Sequence, residues 1–175
     1  QKRLGLDMYL IDTNILITAK NSYYPFDFCS GFWAFVQDKL VGNDISLIGS
    51  VQREILAHDD EIASWVLNLN PTVLDDTAAE VQAIFSGIAN DVMQGRISPS
   101  FSQSEKDRFL SGADPLLIAT AKHLNYTIVT NEKAVPDNSS KIKIPNICDY
   151  YNVRYITPFE MLRQLGINLC HNRAP

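Results

Sequence analysis

Apolar positions along the chain follow two periods. The run 9–11 predicts a short strand apolar on both faces, as in the centre of a parallel sheet, and 45–48 and 126–130 predict two more short strands. A further strand is expected over 153–156. Ile142 and Ile144 alternate with Lys141 and Lys143, a pattern that predicts a short, lysine-guarded edge strand. Between these runs the spacing changes to three and four. Phe32, Phe35, Val36 and Leu40 predict a helix closed by Gly42-Asn43. Ile62, Trp65, Val66 and Leu69 predict another, and so do Val81, Ile84, Phe85, Ile88 and Val92, with Gly95 as the stop. Leu116, Leu117, Ala119, Thr120, Ala121 and Leu124 make the helix ended by Asn125 small or apolar on several sides, so it is expected to be well buried.

The polar residues at the boundaries act as punctuation. Ser50 is placed to cap a helix over 51–58, and Asp59-Asp60 to cap the next. Thr77 to Glu80, Ser102 to Glu105 and Thr157 to Glu160 each read as a capping box. Asp114 before Pro115 fits an N-cap followed by proline at N1. Segments 21–30 and 133–140 read as loops, and 146–151 as a helical turn. Strands alternating with helices imply an α/β fold: a three-layer α/β/α domain with a mostly parallel central sheet and a helical insertion over 51–110. The domain is expected over 8–165, with 1–7 as an N-terminal extension, Met8 as a possible natural start, and 166–175 as a C-terminal tail.

Composition narrows the function classes. The net charge of -5 gives no global attraction for nucleic acid, so such a function would need bound cations or a local basic patch. The chain has three cysteines, Cys29, Cys148 and Cys170, widely spaced and without a CxxC pair; this argues for a reducing, cytoplasmic setting and against a zinc site or a disulfide framework. No apolar run is long enough to span a membrane, and the first residues do not read as a signal peptide. His58, His123 and His171 lack metal-ligand spacing. The aromatic group Tyr23, Tyr24, Phe26, Phe28, Phe32, Trp33 and Phe35 reads as core, with part of it available to a subunit interface.

Four carboxylates occupy comparable topological places. Asp12 and Glu132 follow strand ends, Glu54 lies in the first turns of the helix after the second strand, and Asp114 heads the helix before the third. In a parallel sheet all four places face one edge, the edge where such sheets bind ligands. Each residue also has an ordinary reading: Asp114 as a cap, Asp12 as a turn or cap residue, Glu54 as a surface charge or partner of Arg53, Glu132 as a loop charge. Together they would repel unless a cation joined them, and oxygen ligands select a hard ion, Mg²⁺ or Mn²⁺. Two such ions about 4 Å apart would suit phosphodiester hydrolysis. Lys133, Lys141 and Lys143 follow the last carboxylate, as phosphate contacts or as a solvated edge.

Tyr9-Leu10-Ile11-Asp12-Thr13-Asn14 resembles the opening strand and first acid of the PIN-domain family of metal-dependent ribonucleases. Ser50-Val51-Gln52-Arg53-Glu54-Ile55 resembles its glutamate segment. Ala113-Asp114-Pro115 through Thr127-Ile128-Val129-Thr130-Asn131-Glu132 resembles its third acid, buried helix and closing strand, where the family usually has aspartate at the last place. Ile142 to Cys148 is similar to a poorly characterised PIN-like subfamily. The resemblance implies Mg²⁺ or Mn²⁺ bound by Asp12, Glu54 and Asp114, with Glu132 completing a second site, directly or through water. It implies Asn14 and Thr130 orienting ligands or water. It further implies endoribonuclease activity of the toxin type, with RNA as substrate, an antitoxin as partner and a possible homodimer. Alternatives are a catalytically idle PIN-like module that binds RNA or protein, and a nuclease acting on DNA.

Overall fold

The computed structural model describes residues 7–169; the expectations for 1–6, and for Cys170 and His171 in the tail, lie outside them. Five strands, β1 (Tyr9–Ile11), β2 (Ile45–Ile48), β3 (Val73–Leu74), β4 (Thr127–Val129) and β5 (Tyr155–Ile156), form one sheet in the order β3-β2-β1-β4-β5. Every pairing is parallel. The residues of β1 are all buried, as expected of a strand apolar on both faces, and those of β2 and β4 are buried too, Ser46 and Thr127 included.

The helices are α1 (Thr13–Thr18), α2 (Ser30–Val41), α3 (Gly49–Ala57), α4 (Glu61–Leu69), α5 (Ala79–Met93), α6 (Gln103–Ser111), α7 (Asp114–Leu124), α8 (Ile144–Tyr151) and α9 (Pro158–Gln164). The chain builds outward from β1 through β2 to β3, then returns to the other side of β1 for β4 and β5. With right-handed crossovers, this reversal puts α1–α4 on one face and α5–α8 on the other, while α9 returns to the first face, where Phe159 meets Tyr23. The packing agrees: α3 lies against α1 and α4, and α7 against α5, α6 and α8. The architecture is three-layer α/β/α, and its switch point is the crevice between the carboxyl ends of β1 and β4.

Helix α7 fills the centre of its layer, with Leu117, Ile118, Ala119, Thr120 and Ala121 buried and Asn125 ending it in the left-handed conformation. Tyr24 stacks on Phe32 with centroids 4.0 Å apart, and Trp33 donates its ring N–H to the Tyr24 carbonyl. Most of the aromatic group is therefore core, although Tyr23 and Phe28 stay exposed.

Several local expectations are corrected. The stretch after α1 is not loop from residue 21: a π-helical turn, Ala19–Tyr23, continues it. The helical insertion contains β3, too short to show a period. Ile142 and Ile144 form no strand; both are buried, and Ile144 opens α8. Thr77 does not cap α5, because its N–H and hydroxyl both donate to Asp75. Ser102 does cap α6, but Glu105 turns to Arg108 and the Ile142 amide instead of closing a box. The third box, Thr157 with Glu160, forms in full at α9.

Candidate metal centre

The register of the sheet places the first acid. Ile11 pairs with Val129, so the next residues, Asp12 and Thr130, stand level at the carboxyl edge. The Thr130 hydroxyl donates to Asp12 Oδ2 at 2.9 Å, across the crevice at the switch point. Asp12 Oδ1 accepts the Asn14 backbone N–H at 2.7 Å, and the carboxylate is 3% exposed. Burial pushes the Asp12 carboxyl above its usual range; the Asn14 and Thr130 hydrogen bonds oppose this, and the charges of Glu132 and Glu54 add to it. Thr130 thus contacts the acid as expected. Asn14 contributes through its amide, while its side chain is exposed.

Glu54 ties the heads of two helices together. Its Oε2 accepts the Thr13 hydroxyl at 2.5 Å, at the start of α1. Its Oε1 accepts the Ala113 N–H at 2.8 Å, one residue before Asp114. Sequence reasoning passed over Thr13; a hydroxyl next to a strand-end acid was the only signal. Ser50 is not the cap of α3. That helix begins at Gly49, and Ser50 gives both its N–H (2.6 Å) and its hydroxyl (2.5 Å) to Asp76 Oδ2. Asp76, 2% exposed and just past β3, therefore anchors the helix that carries Glu54. A Cβ on Gly49 would stand 3.0 Å from Asp76 Oδ1, tighter than an ordinary contact, so glycine leaves room for the anchor. Asp76 also went unnoticed, since its role depends on a strand that the pattern did not reveal.

Asp114 differs from the expectation in a useful way. The N-cap position belongs to Ala113, and Asp114 is the first helical residue, with Pro115 behind it. No hydrogen bond from the described residues reaches its carboxylate. Its pKa is raised to about 7, first by burial and then by the charges of Asp12, Glu132 and Glu54, with Arg108 opposing. Asp12 and Asp114 therefore lie within electrostatic reach of each other and of both Glu54 and Glu132. Glu132 is the most fully engaged: Oε1 accepts from Lys143 Nζ at 2.6 Å and Oε2 from the Ile144 N–H at 2.8 Å.

The donor set, carboxylates with hydroxyl and amide support, fits a hard divalent cation, and an ion would relieve the repulsion felt at Asp114. The present spacing is looser than a finished cage: among the described residues no three His, Cys, Asp or Glu side chains stand close enough to hold an ion. His58 and His123 are exposed. Beside the cluster, Ile11, Thr18, Tyr23, Asn131 and Phe159 line part of an apolar hollow.

A family model described as a domain of unknown function, DUF4411, matches residues 9–169. The chain belongs to this family. The DUF4411 match spans all four carboxylates, and its description carries no activity. Comparison with curated proteins and with solved structures finds no significant match in either. Cys29 and Cys148 are free thiols, and among the described residues no helix is long and apolar enough to cross a membrane.

Proposed function

We propose that this DUF4411 chain is a PIN-like, Mg²⁺- or Mn²⁺-dependent endoribonuclease of the toxin type, working in a reducing cytoplasm. The carrying observation is Asp114: a half-buried carboxylate without a hydrogen bond from the described residues, raised to about 7 amid three other acids at the switch point. A fold keeps such a group at a cost unless a cation offsets the charge. Asp12, Glu54 and Asp114 would hold the ion. Thr130 and the Asn14 amide fix the Asp12 oxygens, and Thr13 and the Ala113 amide fix those of Glu54. When bound, a divalent ion supplies Lewis acidity and activates water for attack on a phosphodiester. RNA as substrate, an antitoxin and a second copy of the chain as partners belong to this same proposal and rest on the resemblance.

Cleavage of RNA with Mn²⁺ or Mg²⁺, set against matched DNA, tests it. Activity on RNA that is lost in Asp12→Asn and Asp114→Asn is the expected result; no cleavage, or equal cleavage by both variants, defeats it. The loose spacing of the acids favours a second reading, an idle RNA- or protein-binding module. Calorimetric titration with Mn²⁺ separates the two, because an idle module would bind no ion in a manner that depends on Asp12.

A further inference from the structure

We propose that Glu132 is a positioning residue, not a metal ligand: it latches the 133–143 segment against α8 and leaves the ion to Asp12, Glu54 and Asp114. The second half of this statement rests on the nuclease reading; the first does not.

The oxygens of Asp12 and Glu54 accept hydrogen bonds from neutral groups only, which leaves their charge open to a cation, whereas Glu132 already has a cation on Oε1, Lys143 Nζ, and the Ile144 N–H on Oε2. The Ile144 N–H belongs to the first residue of α8, whose own N-cap residue is Lys143. Lysine has no acceptor and so cannot cap; the next residue, Pro145, has no N–H to give. Glu132 supplies the missing cap from twelve residues upstream and at the same time pairs with the lysine at that cap. Its negative charge sits at the positive end of the helix. Ile142 and Ile144, both 1% exposed, fix Lys143 from either side, so the lysine is held near Glu132 rather than free to swing away.

The rest of the segment is tied down consistently with this. Asn146 exchanges two hydrogen bonds with the Val135 backbone, and Ile142 donates to Glu105 and accepts from Arg108. The latch reaches the metal site through one intermediary. The Glu132 N–H donates to Thr130 Oγ1 at 3.1 Å, and that hydroxyl donates to Asp12 Oδ2. Turning the Glu132 carboxylate toward an ion would strand Lys143 and the Ile144 amide together. An aspartate, about 1.5 Å shorter, would not span to both donors.

Two measurements judge this. In metal-free protein, hydrogen exchange of the Ile144 amide and of 133–143 is expected to rise at least about tenfold in Glu132→Ala. Glu132→Gln, which keeps length and an acceptor, should protect Ile144 better than the shorter Glu132→Asp. Unchanged protection in Glu132→Ala overturns the latch. In Mn²⁺ calorimetry the wild type is expected to take one ion per chain, and Glu132→Gln to bind it within about threefold of wild type. Asp12→Asn should lose at least about thirtyfold. A Glu132→Gln loss equal to that of Asp12→Asn, or Glu132→Asp binding better than Glu132→Gln, overturns the proposal. If the wild type binds no Mn²⁺, the nuclease reading fails, and the exchange experiment still decides the latch. Should Glu132→Ala fail to fold, Lys143→Met serves: faster exchange in 133–143 with Mn²⁺ affinity unchanged is expected, and unchanged exchange counts against the latch.

Discussion

Two aspartates stand at the same edge of the sheet, Asp76 buried and Asp114 half-buried, and their charges are settled in opposite ways. Between β2 and β3, Asp76 receives the amide and hydroxyl of Ser50, so its charge is met by donors within hydrogen-bond distance. At the switch point between β1 and β4, Asp114 meets only other carboxylates at a distance, with Arg108 in partial compensation. The same side-chain chemistry at one sheet edge thus yields a structural anchor after β3 and an open charge at the head of α7. What separates them is the supply of donors: Asp76 takes two from Ser50, whereas Asp114 has none among the described residues and sits among the charges of three other acids.

The largest test of this contrast removes the open charge. Asp114→Asn is expected to lower metal-dependent cleavage by about 10³-fold, some 4 kcal/mol of transition-state stabilisation, in a single-turnover RNA assay. The same variant should unfold at a higher temperature than wild type in metal-free buffer at pH 7. A functional loss joined to a stability gain would mark the site as one held open against the interest of the fold.

The pH dependence follows from the same group. Asp114 titrates near 7 in the fold and near 3.8 when unfolded, so between these values the folded state holds the extra proton. Stability of the metal-free protein attributable to Asp114 therefore falls as pH rises from about 4 to about 7 and is flat above, by at most about 4 kcal/mol. Urea titrations at stepped pH should show this slope in wild type and a shallower one in Asp114→Asn. Mn²⁺ must displace that proton, so its affinity should weaken by about tenfold per pH unit below 7 and level off above.

Removing the anchored aspartate should behave differently. Asp76→Ala strips two buried donors on Ser50 and is expected to cost about 3 kcal/mol by chemical denaturation. Its cleavage defect should appear only as far as α3, and with it Glu54, is displaced. The smallest effect is expected from Thr13→Val, which removes one hydroxyl from Glu54 and should cost about 1 kcal/mol in the same measurement. An Asp76→Ala variant that loses Mn²⁺ as completely as Asp114→Asn would erase the distinction between the two aspartates.

Much of this layout was legible in the residues alone. Tyr9-Leu10-Ile11 is apolar on both faces, as a central parallel strand must be, and Ile45 to Ile48 and Thr127 to Val129 are short runs rich in β-branched residues. Asn125 and Gly95 stop their helices because the left-handed conformation suits them. These are local rules, in which each residue's preference is set by its near neighbours. The sequence could therefore determine the sheet centre, the helix periods and the edge on which four acids would fall.

The tertiary structure decided which partner each polar group would take. Glu54 bonds to residues 41 and 59 positions away, and Asp12 to one 118 positions away. Two-residue β3 exists only because β2 is there to pair with it. Ser50 turns from a cap into a donor because Asp76 arrives from that strand, and Lys143 turns from an edge-strand guard into the counter-ion of Glu132. Hydrogen bonds and ion pairs are settled by whichever donors the folded chain brings within 3 Å, and no local pattern encodes that supply.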